Sequence, residues 1–129
     1  MFEKLEIFQM AGAMARHASA RQNVIAQNIA QADTPGYKAR DLTSFVDTYQ
    51  QQDGGMHLRA TRSGHFMGDE ARPLAAHVVA GEGSESPNGN NVSLETEMVK
   101  AASVRKQHDR ALAIYQSSLG IIRSSLGRR

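Results

Sequence analysis

Residues Asn28–Ala39 read N-I-A-Q-A-D-T-P-G-Y-K-A, and this stretch stops an Ala-rich helical segment within a few residues. Thr34 precedes Pro35, whose ring pushes the preceding residue out of the α region. Pro35 suits position i+1 of a turn, and Gly36 suits a position i+2 with positive φ, which is the type II pattern. Asp33 or Thr34 can bond its side chain to nearby backbone and help close the turn. Tyr37 and Lys38 follow as an aromatic anchor and a cation leaving in a new direction. The stretch is therefore a hinge between a long helix and something irregular, and Gly36→Val should impair it.

Upstream, Phe2 to Gln31 is rich in Ala, Gln, Met, Arg and Leu, all good helix formers. Leu5, Phe8, Gly12, Ala15, Ala18, Ile25, Ile29 and Ala32 recur near a three-four alternation, with Gln22 filling the gap, so one stripe runs along the helix. A helix of that length spans about 45 Å. Gly12, Ala15 and Ala18 bury little each but let another helix come close. Asn28 and the carboxamides Gln22, Gln27 and Gln31 are either surface amides or, for Asn28, a register-fixing hydrogen bonder in a packed seam.

Downstream, Arg40 to Asp53 is polar with two apolar anchors, Leu42 and Phe45, and reads as a short helix or a docked loop. Residues 54–91 hold most of the glycines and two of the three prolines, which predicts loops with short strands at Met56–Thr61 and His77–Ala80. Gly81 to Asn91, G-E-G-S-E-S-P-N-G-N-N, consists of turn formers and is expected to be exposed and mobile. A second helix begins at Ser93, whose hydroxyl can cap it, with Glu95 and Glu97 at the positive end of its dipole. Leu94, Met98, Ala101, Arg105, His108, Leu112, Tyr115, Leu119, Ile122 and Leu126 step by four and three as a heptad seam. Gly127 can end the helix, with Arg128 and Arg129 at the negative end of the dipole.

The expected fold is mainly α: two long terminal helices packed as a coiled-coil-like pair, with an irregular, loop-rich middle containing short strands. Residues 1–32 and 92–129 would form one discontinuous helical domain, and 33–91 a hinge and insert. No third helix of comparable length exists to cover both stripes, so the remainder must be buried against other subunits.

Composition narrows the function. The chain has 129 residues, no Cys, no Trp and 5% aromatic residues, so disulfides and thiolate metal sites are excluded and a self-sufficient core would lack large side chains. The N-terminus M-F-E-K-L-E-I-F lacks the basic and apolar regions of a Sec-type signal, and no apolar run approaches the ~20 residues of a membrane span. Residues 33–91 carry five bases and eight acids, and residues 92–129 seven bases and three acids. The basic charges of the last helix are diluted among Leu, Ile, Ala and Ser, which is the pattern of a solvated face and not of a nucleic-acid site. His17, His57, His65, His77 and His108 form no H-x₃-H or H-E-x-x-H unit. Asp69–Glu70 lacks a neighbouring base or nucleophile, and there is no G-K-[ST] phosphate loop or G-x-S-x-G elbow. No catalytic, cofactor, metal or small-molecule site is expected.

Val24 to Ala39, V-I-A-Q-N-I-A-Q-A-D-T-P-G-Y-K-A, closely resembles the N-terminal signature of the bacterial flagellar rod, hook and axial proteins, with Asn28, Ile29, Ala30, Thr34, Gly36 and Tyr37, beside Pro35, at the recurrent positions. Gln31 departs from it, since Asn is commoner there. Gly89 to Val99, G-N-N-V-S-L-E-T-E-M-V, resembles the second conserved region of the same family. Asp33–Asp41, with the early start and short length, looks most like its proximal rod members; Leu58-Arg59-Ala60-Thr61 with His65 fits loosely. The resemblance implies a non-enzymatic structural subunit whose terminal helices polymerise helically in the basal-body rod, which spans the periplasm and transmits motor torque in motility. Its implied partners are further copies of itself, other rod proteins, the rod adaptor at the membrane ring and export gate, and the type III export apparatus, which needs no cleaved signal. The assembly seams would be Leu5, Phe8, Ala15, Ile25 and Ile29 on the first helix, and Leu94, Met98, Leu112, Tyr115, Leu119, Ile122 and Leu126 on the second. The alternative is a helical adaptor or export-chaperone-like module with a single partner.

Overall fold

The computed structural model describes residues 2–53 and 77–127, with side chains described for residues 6–50 and 77–127. The order is α1 (Phe2–Ala30), β1 (Arg40–Leu42), α2 (Phe45–Asp53), β2 (Val78–Ala80) and α3 (Leu94–Leu126). The predicted strand at Met56–Thr61, the side chain of Leu5, His57, His65 and Asp69–Glu70 lie outside the described residues.

The two long helices run antiparallel and pack against each other. Their contact mixes small and aliphatic residues: Ala18, Ile25 and Val104 form its buried centre, with Ile29 and Ala101 packed against it. Ala11 and Ala111 extend the buried line. Near the far end Phe8 and Tyr115 stack with ring centroids 4.2 Å apart. Small side chains let the helix axes approach closely, so dispersion contacts accumulate even though each residue removes little area from water.

On α3 the buried residues are Glu97, Val104, Ala111 and Ser118, seven apart. The predicted seam is therefore turned by one residue relative to the contact within the chain. Ala101, His108, Tyr115 and Ile122 are half-buried and border that contact, whereas Leu94, Met98, Leu112 and Leu126 are exposed and Leu119 is half-buried. Leu94, Met98, Leu112 and Leu126 are thus not what holds α3 to α1. On α1, Ile25 is buried and Phe8, Ala15 and Ile29 are half-buried.

β1 and β2 pair antiparallel, Arg40 opposite Ala80 and Leu42 opposite Val78, as one two-stranded ribbon against α1. The region Arg40–Asp53 resolves into a strand and then a helix. Leu42 is buried, and Phe45 meets the His17 ring edge-on at 5.7 Å. Ser44 starts α2 by accepting from Asp47 N–H, and Ser93 caps α3 by accepting from Thr96 N–H. Gly127 ends α3. No helix among the described residues is long and apolar enough to cross a membrane.

Candidate functional site

The hinge closes locally first. Tyr37 N–H donates to Thr34 C=O at 3.3 Å, and Gly36 sits at φ +73°, the geometry of a type II turn over Thr34-Pro35-Gly36-Tyr37. The Thr34 hydroxyl donates to Gln31 Oε1 at 2.6 Å, a side chain instead of backbone, so the longer amide at position 31 finds a partner.

Around this turn folds the segment expected to be mobile. Residues 82–88 are exposed, but the segment is anchored at its end. Ser86 C=O accepts from Gly89 N–H at 2.8 Å, and Asn88 C=O accepts from Gly36 N–H at 2.9 Å. Gly89 is at φ +79°, and a Cβ there would lie 3.4 Å from Gly36 Cα, so two left-handed glycines meet back to back. Asn90 is buried. Its Nδ2 lies 3.0, 2.8 and 2.8 Å from the carbonyls of Gln31, Ala32 and Thr34, and its Oδ1 accepts from Val92 N–H at 2.7 Å. The last carbonyls of a helix lack partners within it. Here the carbonyls just past the helix end, in the turn that follows Ala30, are met by one side chain from 56–59 residues downstream. Asn91 Oδ1 accepts from Ala39 N–H at 2.6 Å. Turn-forming composition signals irregular backbone, and it does not reveal that the irregular backbone is a cap for another element.

Asn28 is the centre of the joint and is fully buried. Its Nδ2 donates to Arg40 C=O at 2.7 Å and to Glu97 Oε2 at 3.0 Å. Its Oδ1 accepts from Arg40 N–H at 3.1 Å and from the Tyr37 hydroxyl at 3.2 Å. One amide thus ties α1, the turn, β1 and α3. Glu97, expected only to favour the helix dipole, is 2% exposed and belongs to this network.

Charge completes the joint. Arg21 donates from Nε and an Nη to both oxygens of Asp41, at 2.7 and 2.9 Å. Lys100 Nζ lies 3.5 Å from Asp41 and 3.1 Å from Glu97, so two cations and two carboxylates alternate between α1, β1 and α3. Burial pushes the Asp41 carboxyl up, but the Arg21 hydrogen bond, the Leu42 N–H and the charges of Arg21 and Lys100 together hold it below the usual carboxylate range. The Asp41 hydrogen bond raises the Arg21 guanidinium despite the opposing burial. Among the described residues, no buried side-chain nitrogen or oxygen lacks a partner. By contrast Lys38–Glu85, at 2.6 Å, joins two exposed groups and contributes little.

The structure therefore gathers Asn28, Thr34, Pro35, Gly36 and Tyr37 at one place, with Ile29 and Ala30 on the adjoining last turn of α1. Asn90, Asn91, Glu97, Arg21, Asp41 and Lys100 also belong to it. The signals for them were present: G-N-N one residue short of the Ser93 cap, and Arg21 one heptad before Asn28 on the same helix face. An open depression of about 470 Å³ beside the ribbon is lined by Gly36–Arg40 and Val78–Ala80. Among the described residues no group of three or more His, Cys, Asp or Glu is placed to hold a metal, and His17 instead uses Nε2 toward Thr43 C=O at 2.8 Å. The arrangement is built to fix the angle and rotation of two helices.

The family model described as flagella basal body rod protein matches residues 10–38, most of α1 and the turn. Flagellar basal body rod protein FlgB of Agrobacterium fabrum C58 is 30% identical over 118 residues, covering 89% of this chain and 88% of that protein. The protein of the same name from Salmonella typhimurium LT2 is 30% identical over 106 residues, 77% of each chain, and that from Bacillus subtilis 168 is 34% identical over 85 residues, 66% of this chain and 65% of that one. With identity of 30% over 89% of its length to such a relative, the chain belongs to the FlgB family of flagellar basal body rod proteins.

Proposed function

We propose that this chain is a structural, non-catalytic subunit of the flagellar basal-body rod, polymerising helically through its terminal helices and so carrying motor torque in motility. The observation that carries the reading is the division of labour on α3. Its polar and small residues are used inside the chain, while Leu94, Met98, Leu112 and Leu126 remain 41–73% exposed along one side. A row of large apolar residues at heptad spacing stabilises a structure only when another helix covers it. The charged joint suits torque: bonds from α1, the turn, β1 and α3 meet at Asn28, so bending the helices apart requires breaking several polar contacts together.

The finer parts of the proposal follow from the family. The subunit would reach the periplasm through the type III export apparatus without a cleaved signal, and would meet the rod adaptor at the membrane ring and export gate. The relatives, all named as rod proteins, give no support to a single-partner adaptor or chaperone. The test is deletion of the gene and complementation with a tagged copy. Motility should be lost and restored, and the tagged chain should co-purify with basal bodies and be traceable in their density map at the rod. A tagged chain that restores swimming yet is absent from purified basal bodies would refute the proposal.

A further inference from the structure

Of the five asparagines in the chain, Asn88 alone is followed by glycine. Asn23, Asn28 and Asn91 precede Val24, Ile29 and Val92, whose branched side chains crowd the intervening nitrogen, and Asn90 precedes Asn91. Gly89 has no Cβ, so nothing of its own screens its nitrogen from the Asn88 amide carbon. Asn88 is also exposed, so water reaches it. Those are the conditions for spontaneous deamidation. The Gly89 nitrogen, after losing its proton to base, attacks Asn88 Cγ; an N–Cγ bond forms, the Cγ–Nδ2 bond breaks, and ammonia leaves with a proton from water. Water then opens the five-membered imide. Attack at Cγ breaks the new bond and gives Asp. Attack at the Asn88 backbone carbonyl carbon breaks the original peptide bond instead and leaves Gly89 joined through the side chain, as isoaspartate. By either route one amide and one water become a carboxylate and ammonium, with no change of oxidation state.

The fold holds this chemistry back. Gly89 N–H donates to Ser86 C=O at 2.8 Å, and Ser86 N–H donates to Asn90 C=O at 2.7 Å. Asn88 follows Pro87 with negative φ, so Ser86–Gly89 is a type I turn with Asn88 at its third position. Closing the imide ring needs a large rotation away from the ψ of about 0° that this position has. The reacting groups are also engaged: the Gly89 N–H by Ser86, and Asn88 Oδ1 by the Asn90 N–H at 3.1 Å. On the other side of the turn, Asn88 C=O accepts from Gly36 N–H at 2.9 Å, and a Cβ on Gly89 would lie 3.4 Å from Gly36 Cα. The turn therefore opens only when its contact with Thr34–Tyr37 loosens.

We propose that Asn88 is a spontaneous deamidation site whose rate is set by the joint and whose isoaspartyl product undoes the joint. The two products differ in what they do. Asp keeps the backbone and an oxygen for the Asn90 N–H. Isoaspartate adds a carbon to the main chain and turns the carbonyl used by Gly36 N–H into a free carboxylate off the chain. Two residues on, Asn90 is drawn from the carbonyls of Gln31, Ala32 and Thr34, which its side chain reaches within 3.0 Å. Conversion that needs local opening runs at the population of the open form, and opening here breaks two neutral hydrogen bonds, which makes the folded chain roughly tenfold to a hundredfold slower than the unfolded one.

The purified full-length chain would be incubated at mildly alkaline pH with and without guanidinium chloride, and peptide mapping by mass spectrometry would follow the amide-to-acid mass gain and separate Asp from isoaspartyl peptides. Asn88 should convert ahead of every other asparagine, and faster in guanidinium by the factor above. Equal rates in the two buffers, or earlier conversion of another asparagine in the native chain, overturns the proposal. Asn90→Ala keeps Asn88–Gly89 but loosens the joint, so it should convert several-fold faster than the native chain, up to the guanidinium rate if it does not fold; a rate no faster than native overturns control by the joint. For the product, chain aged until the isoaspartyl form predominates should unfold at lower urea than fresh chain. Asn88→Asp, and Asn88→Ser incubated equally long, should keep the fresh midpoint. Asp53–Gly54 can close the same ring without a mass change, and the Asn88→Ser sample carries that pair too. Aged chain as stable as fresh chain, or Asn88→Ser weakened as much as the native sequence, overturns the claim that isoaspartate at this position undoes the joint.

Discussion

Replacing Asn28 tests the joint at its centre. Asn28→Ala deletes three neutral hydrogen bonds, to Arg40 C=O, Arg40 N–H and the Tyr37 hydroxyl, and one to the Glu97 carboxylate. At about 1 kcal/mol for each neutral bond and about 2 kcal/mol for the charged one, the loss is about 5 kcal/mol. That is a large part of the roughly 5–15 kcal/mol that stabilises a typical domain. With a urea m-value of about 1.5–2 kcal/mol/M, the unfolding midpoint followed by helical circular dichroism should fall by about 2.5–3.3 M.

Asn28→Asp is nearly isosteric but sharper. It sets a second carboxylate at the 3.0 Å contact with Glu97, and repulsion at an effective dielectric of 20 is about 5 kcal/mol. The new carboxyl, buried and beside a like charge, has its folded pKa raised above the unfolded value of about 3.9. The folded state then binds more protons, so the variant should regain stability as the pH falls from neutrality toward about 4. If Asn28→Ala stays within about 1 kcal/mol of the native chain, or Asn28→Asp loses stability steadily on acidification, the joint is not centred on this amide.

The Asp41 carboxyl has the opposite sign. Its folded pKa lies below its ordinary value of 3.8, so its contribution is full above that value and is lost as pH falls through the folded pKa. Asp41→Asn should be less stable than the native chain at pH 7 and should show a flatter pH dependence below about pH 4; parallel acid profiles would rule this out. Gly36→Val forces a β-branched residue to φ +73°, and since nothing lies within 4 Å of its Cβ, the penalty of at least about 1–2 kcal/mol is conformational. It should lower incorporation into basal bodies and swimming while leaving the cellular level unchanged, and normal swimming would remove the turn from the mechanism. Asn90→Ala should cost about 2–4 kcal/mol in urea unfolding, because carbonyls of the turn after α1 and the Val92 N–H lose a buried partner.

The parts legible in the sequence were those set by near neighbours. Pro35 fixes its own φ and Gly36 takes positive φ without a steric penalty, so the turn follows from steric rules acting over four residues. The two long helices follow from propensity and period, with the Ser93 cap readable from its own hydroxyl and α1 ending within a residue of the expected position. The Val78–Ala80 strand was legible from β-branched residues after a loop. The spacing of the apolar positions also gave α3 more stripe than one partner helix can cover, and Leu94, Met98, Leu112 and Leu126 are exposed.

Only the tertiary structure decided which residues face inward. The large apolar row on α3 and the row one residue away from it have the same period, so spacing alone cannot tell the contact within the chain from the surface left for another. Rotation is set instead by Glu97 reaching Asn28 across 69 residues, and by Arg21, Asp41 and Lys100 converging beside it. Likewise Asn90 looks like one more turn former until the fold brings it to the carbonyls of the turn that follows α1. Propensity, period and turn chemistry are properties of neighbours along the chain. Burial and hydrogen-bond partnership are properties of neighbours in space, and the joint is made almost wholly of the second kind.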